Sequence, residues 1–321
     1  MPAFRFGTDH HGNTDMHLPD HFLDPATMAL TAVVSGGAVT YSLARVRSEG
    51  SSKALPAAGL AAGIFAAQMV NFPVGAGTSG HLIGGTLAGM LLGPWAGLLA
   101  MSAVLAVQAI VFGDGGIFAL GANILNMGLI GVALGVAVDR LFVTTRPNFT
   151  NSLMRRAFAS ALAGWIAVVA GALACAIEMA VSGAASAGEV VPAMLGVHAM
   201  IGLAEGAITA IVVTACCYGF AHGRLGAVER RPRVFGAALA LAIVIALAPL
   251  ASMLPDGLES VAAGLTSLQL EADALVPPVF ADYAIPGIAW ASIATVLAGI
   301  VGVALVFAGT SLACIGIRRT N

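Results

Sequence analysis

The sequence predicts an all-α, polytopic membrane protein with about nine transmembrane helices, and three observations carry that expectation. The 321 residues are 59% hydrophobic and 9% charged, with a mean hydropathy of +0.94, whereas an ordinary soluble domain is roughly 25% charged. Apolar runs approaching the roughly 20 residues that cross a bilayer core recur along the whole chain. The loops between them alternate in Lys and Arg content, as the positive-inside rule requires of correctly counted spans.

Taken in order, the apolar segments fall at 26–44, 54–72, 79–92, 95–112, 116–138, 157–182, 192–221, 234–254 and 287–316. The third is short for a span, and Gly93-Pro94 separates it from the fourth, so a re-entrant or tilted segment is one reading. Arg45, Arg47 and Lys53 follow the first segment; Arg140, Arg146, Arg155 and Arg156 follow the fifth. Arg224, Arg230, Arg231 and Arg233 follow the seventh, and Arg318 and Arg319 close the chain. Asp20, Asp24, Asp114, Glu189, Asp256, Glu259, Glu271, Asp273 and Asp282 collect on the opposite face. The N-terminus is therefore expected outside and the C-terminus in the cytoplasm of a multi-pass cell membrane protein.

Residues 1–15 are polar and lack the apolar core of a signal peptide; they read as a short outer tail or as untranslated sequence. Residues 16–222 form a seven-helix unit, 223–233 a basic cytoplasmic linker, and 234–321 a two-helix hairpin with an outer loop at 255–286. Most of the forty glycines lie inside the apolar runs and not in separate tracts, which excludes a disordered chain and suits close helix packing. A net charge of −2 leaves no electrostatic footprint for nucleic acid. Cys175, Cys216, Cys217 and Cys314 lack metal-type spacing and read as packing residues.

The histidines carry the chemistry, because neutral imidazole favours nickel, cobalt, copper and zinc. His10, His11, His17, His21 and His81 map to the outer side, and His198 opens the seventh segment there. A histidine that follows a free α-amine can present the amine, its own deprotonated amide and Nδ1 in fused chelate rings. One more imidazole closes a planar four-nitrogen site suited to Ni(II), and by extension to low-spin Co(II). In M-H-L-P-D-H-F-L, 16–23, this requires Met16 to be the first residue. His81, in the glycine-rich G-T-S-G-H-L-I-G-G at 77–85, is the natural fourth donor. The competing reading of that loop is a helix start capped by Ser79.

These segments, with F-A-A-Q-M-V-N-F-P-V at 65–74, F-G-D-G-G at 112–116, G-A-N-I-L-N-M at 121–127 and H-A-M-I-G-L-A-E at 198–205, resemble the nickel/cobalt-specific substrate-binding (S) component of energy-coupling factor ABC transporters, the CbiM/NikM type. P-D-G-L-E at 255–259 and A-D-Y-A-I-P-G at 281–287 look like the NikN-type accessory component fused behind it. The resemblance implies a metal-capturing subunit, not itself an enzyme, that works with a transmembrane coupling protein (the T component) and two cytoplasmic ATPases. It implies Met16, His17 and His81 as metal ligands, Ni2+ or Co2+ as substrate, and no organic cofactor. Two departures stand out. The family begins at the Met-His pair, so either translation starts at Met16 or His10, His11 or His21 supplies the missing donor; and His21 stands where the family usually has glycine.

His198 and Glu205 are seven residues apart, hence on one helix face; His198 reads as an outer partner or access-route group and Glu205 as a polar anchor. Asn71, Asn123, Asn126 and Gln68 either orient a ligating imidazole or tie helices together. Asp114 reads as a turn former, Glu178 as reaching the interface, and the P-D-G-L-E loop as packing. Two rival functions are an intramembrane serine protease using Ser79 and His198, and a self-contained metal-ion secondary transporter. The latter is expected to show midplane charges and paired repeats that the sequence lacks. No Walker A motif occurs, so ATP hydrolysis falls to partners.

Overall fold

The computed structural model describes residues 17–49, 54–75, 77–142, 152–221, 232–265 and 276–315. A 3-10 turn at Asp20–Phe22 leads into α1 (Pro25–Glu49), followed by α2 (Ala54–Gln68) and a small antiparallel hairpin, β1 (Phe72–Gly75) with β2 (Thr78–Gly80). Then come α3 (Gly85–Leu92), α4 (Pro94–Phe112), α5 (Leu120–Phe142), α6 (Ser152–Val181) and α7 (Ala187–Ala221). The C-terminal part holds α8 (Pro232–Leu247), α9 (Gly257–Gly264) and α10 (Ala291–Cys314).

Among the described residues six helices, α1, α4, α5, α6, α7 and α10, are long and apolar enough to span, with shorter apolar helices at Pro56–Gln68 and Gly236–Leu250. The chain is therefore a helical, multi-pass membrane protein, and the third segment, short for a span on sequence, is not a single continuous helix. Residues 78–84 form β2 and an extended stretch, and the eight residues of α3 rise only about 12 Å. Such irregular backbone at membrane depth persists only where protein covers it. Thr78, Ser79, His81 and Leu82 are all buried.

Small residues set the helix spacing. α3 crosses α5 where Gly85 faces Gly131 and Gly135 faces Thr86, and a Cβ on Gly89 would sit 2.5 Å from the Val132 carbonyl oxygen. Gly89→Ala is therefore expected to force α3 and α5 apart at a cost of about 1–3 kcal/mol. Thermal unfolding of the purified variant in detergent checks it, and an unchanged midpoint would contradict the close crossing.

α6 and α7 pack against each other along their length, while α2 is enclosed by α4, α8 and α10. The two larger buried clusters follow: one around Phe65, Met101, Phe112 and Val306, the other joining Leu18 and Phe22 to Met179, Met194 and Leu258. The second cluster brings the N-terminal segment, α6, α7 and α9 to one end of the bundle. Its C-terminal contribution is locally fixed, because Asp256 and Glu259 form a reciprocal capping box at the start of α9. The P-D-G-L-E loop thus packs, as expected. Burial, and then the charge of Glu259, push the Asp256 carboxyl up to about 8.

Candidate metal centre

The segment after residue 16 folds down onto the turn between α4 and α5. Leu18 N donates to Asn123 Oδ1 at 3.0 Å, Asn123 Nδ2 donates to Leu18 O at 3.0 Å, and Gly116 N donates to the same carbonyl at 3.0 Å. Asp20 Oδ1 accepts from Ala119 N at 2.8 Å. Asn123 therefore holds the backbone of the segment and not an imidazole. Close approach needs glycine here: a Cβ on Gly115, whose φ is +87°, would lie 2.7 Å from His17 Cβ. The turn is flanked by π-helical stretches at Gln108–Phe112 and Ile124–Leu129, a distortion frequent at functional sites.

This docking buries His17 and sets its ring 5.6 Å from that of His81, centroid to centroid, at an interplanar angle of 51°. His81 Nδ1 is 3.1 Å from Leu82 O. The loop that carries it is held from both sides: Glu205 accepts from Ile83 N at 2.7 Å and Gly84 N at 3.0 Å, and Gln68 Nε2 donates to Ile83 O at 2.8 Å. Both rings line a cavity of about 80 Å³, together with His198, Asn123, Asn126 and Asp256. That volume admits a small ion together with a few water molecules.

Asp114 is the residue that sequence reasoning missed. It is a buried carboxylate, not merely a turn former: Oδ1 lies 2.6 Å from His17 Nδ1, and Oδ2 accepts from the Tyr283 hydroxyl at 2.6 Å. Burial alone would raise its carboxyl, but the charge and hydrogen bond of His17, and the Tyr283 hydroxyl, hold it below the usual carboxylate range. The signal available was an acidic residue between glycines in an outer loop. Nothing in the sequence linked it to His17. The pairing also bears on the expected chelate, since Nδ1 is the nitrogen a Met-His chelate would use. An ion held through Nδ1 would have to displace Asp114, whereas one held through Nε2 would leave the pair intact.

Of the other expected site residues, Asn123, Asn126 and His198 line the cavity with the rings while the rest of the described ones lie away from it. His21 is exposed, its ring edge against Phe22. Met16, His10 and His11 lie outside the described residues. Asn126 Nδ2 donates to Glu178 Oε2 at 2.7 Å, tying α5 to α6, so Glu178 is buried instead of reaching the interface. Asn71 contributes its carbonyl to Ser252 N. Ser79 donates to Leu254 O at 2.7 Å while its amide donates to Pro255 O, and His198 Nδ1 is 2.9 Å from Met194 O. The Ser79 hydroxyl is thus spent on carbonyls of the C-terminal loop, which suits a strut and not a nucleophile. Among the described residues no three His, Cys, Asp or Glu side chains converge to hold an ion. An ion at His17 and His81 would therefore need further donors beyond these side chains.

Comparison with known proteins fixes the family. The model of CbiM, the cobalt uptake substrate-specific transmembrane region, matches residues 17–217. The chain belongs to the CbiM family. Its C-terminal part matches the PDGLE domain over residues 230–319, so this member carries the accessory module fused behind the CbiM region. A protein of Archaeoglobus fulgidus provisionally named as a fused nickel transport protein, NikMN, is 39% identical over 301 residues, covering 91% of this chain and 96% of its own length. The fused nickel transport protein NikMN of Rhodobacter capsulatus is 39% identical over 167 residues, covering 52% of this chain and 47% of its own. A crystal structure of a transition metal transporter aligns with a TM-score of 0.55 at 31% identity, covering 63% of this chain and 92% of that one.

Proposed function

We propose that this chain is the substrate-capture subunit of an energy-coupling factor importer for nickel or cobalt, binding the ion at the extracytoplasmic face through Met16, His17 and His81. The observation that carries the reading is the buried pair of imidazoles, 5.6 Å apart on two segments distant in sequence and facing one small cavity. Nitrogen donors of this kind suit Ni(II) and Co(II), and the fused relatives described above are named as nickel transport proteins. The coupling protein and two cytoplasmic ATPases supply the energy, and the N-terminus lies outside with the C-terminus in the cytoplasm. Residues 16–222 bind the ion, and residues 234–321, joined through the 223–233 linker, cover the site from the C-terminal side.

The amine gives a direct test. Chains produced to begin at Met16 are expected to bind Ni(II) at least tenfold more tightly than chains in which residues 1–15 are retained and convert that amine into a peptide nitrogen. Competition against a chromophoric chelator reads the difference. Equal affinities would remove Met16 from the ligand set and transfer its role to His10, His11 or His21. In cells, uptake of radioactive nickel by the full chain should require co-expression of the coupling protein and ATPases. Uptake by the chain alone would support a secondary transporter instead.

A further inference from the structure

Two buried side chains where α5 meets α6 carry oxygens that the rest of the fold leaves unused. Asn126 lines the cavity together with Val168, Gly171, Ala172 and Cys175 of α6. Its Nδ2 is committed to Glu178 Oε2 at 2.7 Å, whereas Asn126 Oδ1 and Glu178 Oε1 have no hydrogen-bond partner among the described residues. Asn126 is 7% exposed and Glu178 8%, so bulk water does not solvate them. A buried acceptor left unmatched is costly, and more so when it carries charge. Two such atoms on bonded neighbours call for an occupant.

The chemistry of the pair restricts that occupant. A carboxylate oxygen and an amide carbonyl oxygen only accept, so the occupant brings positive charge or donor hydrogens. Among the described residues no Lys, Arg or His forms an ion pair with Glu178, and its charge is not met from within the protein. Glu178 stands one turn from Cys175 on the same face of α6, and Cys175 lines the cavity, which places the carboxylate at its margin. Each spare oxygen shares a carbon or amide group with an atom of the 2.7 Å bond, so one ion can reach both, directly or through a water. Protein oxygens completed by water are a coordination set for a hydrated divalent cation. The cavity admits such an ion, and His17 and His81 open onto the same space.

We propose that Asn126 Oδ1 and Glu178 Oε1 form an oxygen-donor landing site, which holds a hydrated divalent cation inside the cavity before the nitrogen ligands take it. The inference rests on the reading of His17 and His81 as ligands and adds a step in front of them. The order follows from donor type: Ni(II) and Co(II) arrive as aqua ions, oxygen donors replace part of the water, and the imidazoles then draw the ion on because it prefers nitrogen. Among the described residues no third His, Cys, Asp or Glu side chain joins the pair, so the site is weak. Passage requires that, since an ion held tightly there would not leave. The landing site makes no demand on which nitrogen of His17 receives the ion.

Mn(II) is the probe, because it favours oxygen donors and stands lowest in the affinity order at nitrogen sites. Electron paramagnetic resonance titration of the full chain in detergent, carrying His81→Ala to disable the nitrogen site, is expected to show Mn(II) held by the protein. Adding Glu178→Gln should weaken that binding about tenfold, or about 1.4 kcal/mol, while its amide oxygen still accepts from Asn126 and keeps α5 tied to α6. In the otherwise unaltered chain, Glu178→Gln should slow Ni(II) capture in stopped flow by more than it lowers the equilibrium affinity, a split that a merely structural role would not produce. Mn(II) binding indifferent to Glu178→Gln would mean ions on the outer acidic loops alone, and no Mn(II) binding would mean that water fills the pair. Either result, or an unchanged capture rate, would overturn the proposal. If Glu178→Gln does not fold, Asn126→Ala removes the other oxygen: weaker Mn(II) binding with slower capture supports the site, and the parental value of either overturns it. Nickel separates the two levels. Near-native Ni(II) affinity in His81→Ala ends the capture reading and the proposal with it, whereas lost Ni(II) beside Mn(II) binding indifferent to Glu178 ends the proposal alone.

Discussion

Replacing His81 with alanine is expected to abolish Ni(II) and Co(II) binding by the purified chain while leaving its thermal unfolding almost unchanged. The side chain sits at the edge of a cavity of about 80 Å³, and its Nδ1 contact is to Leu82 O, one residue away. Removing the ring enlarges a space that already exists. The loop keeps its anchors at Glu205 and Gln68. In the proposed four-nitrogen site His81 is the donor that closes the plane, so the effect on binding is expected to be large where the effect on the fold is small. His17→Ala should abolish binding as well but should also lower the unfolding midpoint, since Asp114 would be left buried beside an empty space with one of its partners gone. Equilibrium dialysis followed by elemental analysis measures both variants. Near-native nickel retained by His81→Ala would end the assignment of this loop as a ligand.

The difference between these two histidines explains what the sequence showed and what it hid. Hydropathy is local, so α1, α4, α5, α6, α7 and α10 could be placed within a few residues, and the basic loops ordered them. The 79–92 segment was legible as apolar but not as a hairpin followed by a short helix, because composition does not distinguish an inserted loop covered by protein from a span. The two histidines proposed as ligands were visible through their motifs. Asp114 was not, because its meaning lies in a contact with a residue 97 positions away. Tyr283 lies 169 positions from Asp114 and in another module. A side chain whose role is to hold another side chain has no spacing of its own to read.

Glu205 marks the boundary between those cases, and its removal is expected to damage fold and binding together. On sequence it was a polar anchor at membrane depth, where ionisable groups are costly and so rarely incidental. In the structure its two oxygens accept separately, Oε2 from Ile83 N at 2.7 Å and Oε1 from Gly84 N at 3.0 Å. Those consecutive amides belong to the extended stretch that carries His81, and no helix or strand supplies them with acceptors. Gly84, with φ at +81°, lets the chain turn both amides toward one carboxylate. Glu205→Ala strands both amides in a buried site, at about 1–3 kcal/mol each. It also releases the loop, so ordering His81 has to be met from the binding energy. If only about 1.4 kcal/mol of that falls on binding, affinity drops about tenfold. Glu205→Gln retains one acceptor oxygen and should be intermediate in both measurements. The alanine variant should therefore lose thermal stability and nickel affinity in parallel, unlike His81→Ala, where the two separate. A Glu205→Ala chain that melts lower yet binds nickel as tightly as the parent would show that the carboxylate braces α7 alone and that His81 is positioned by something else.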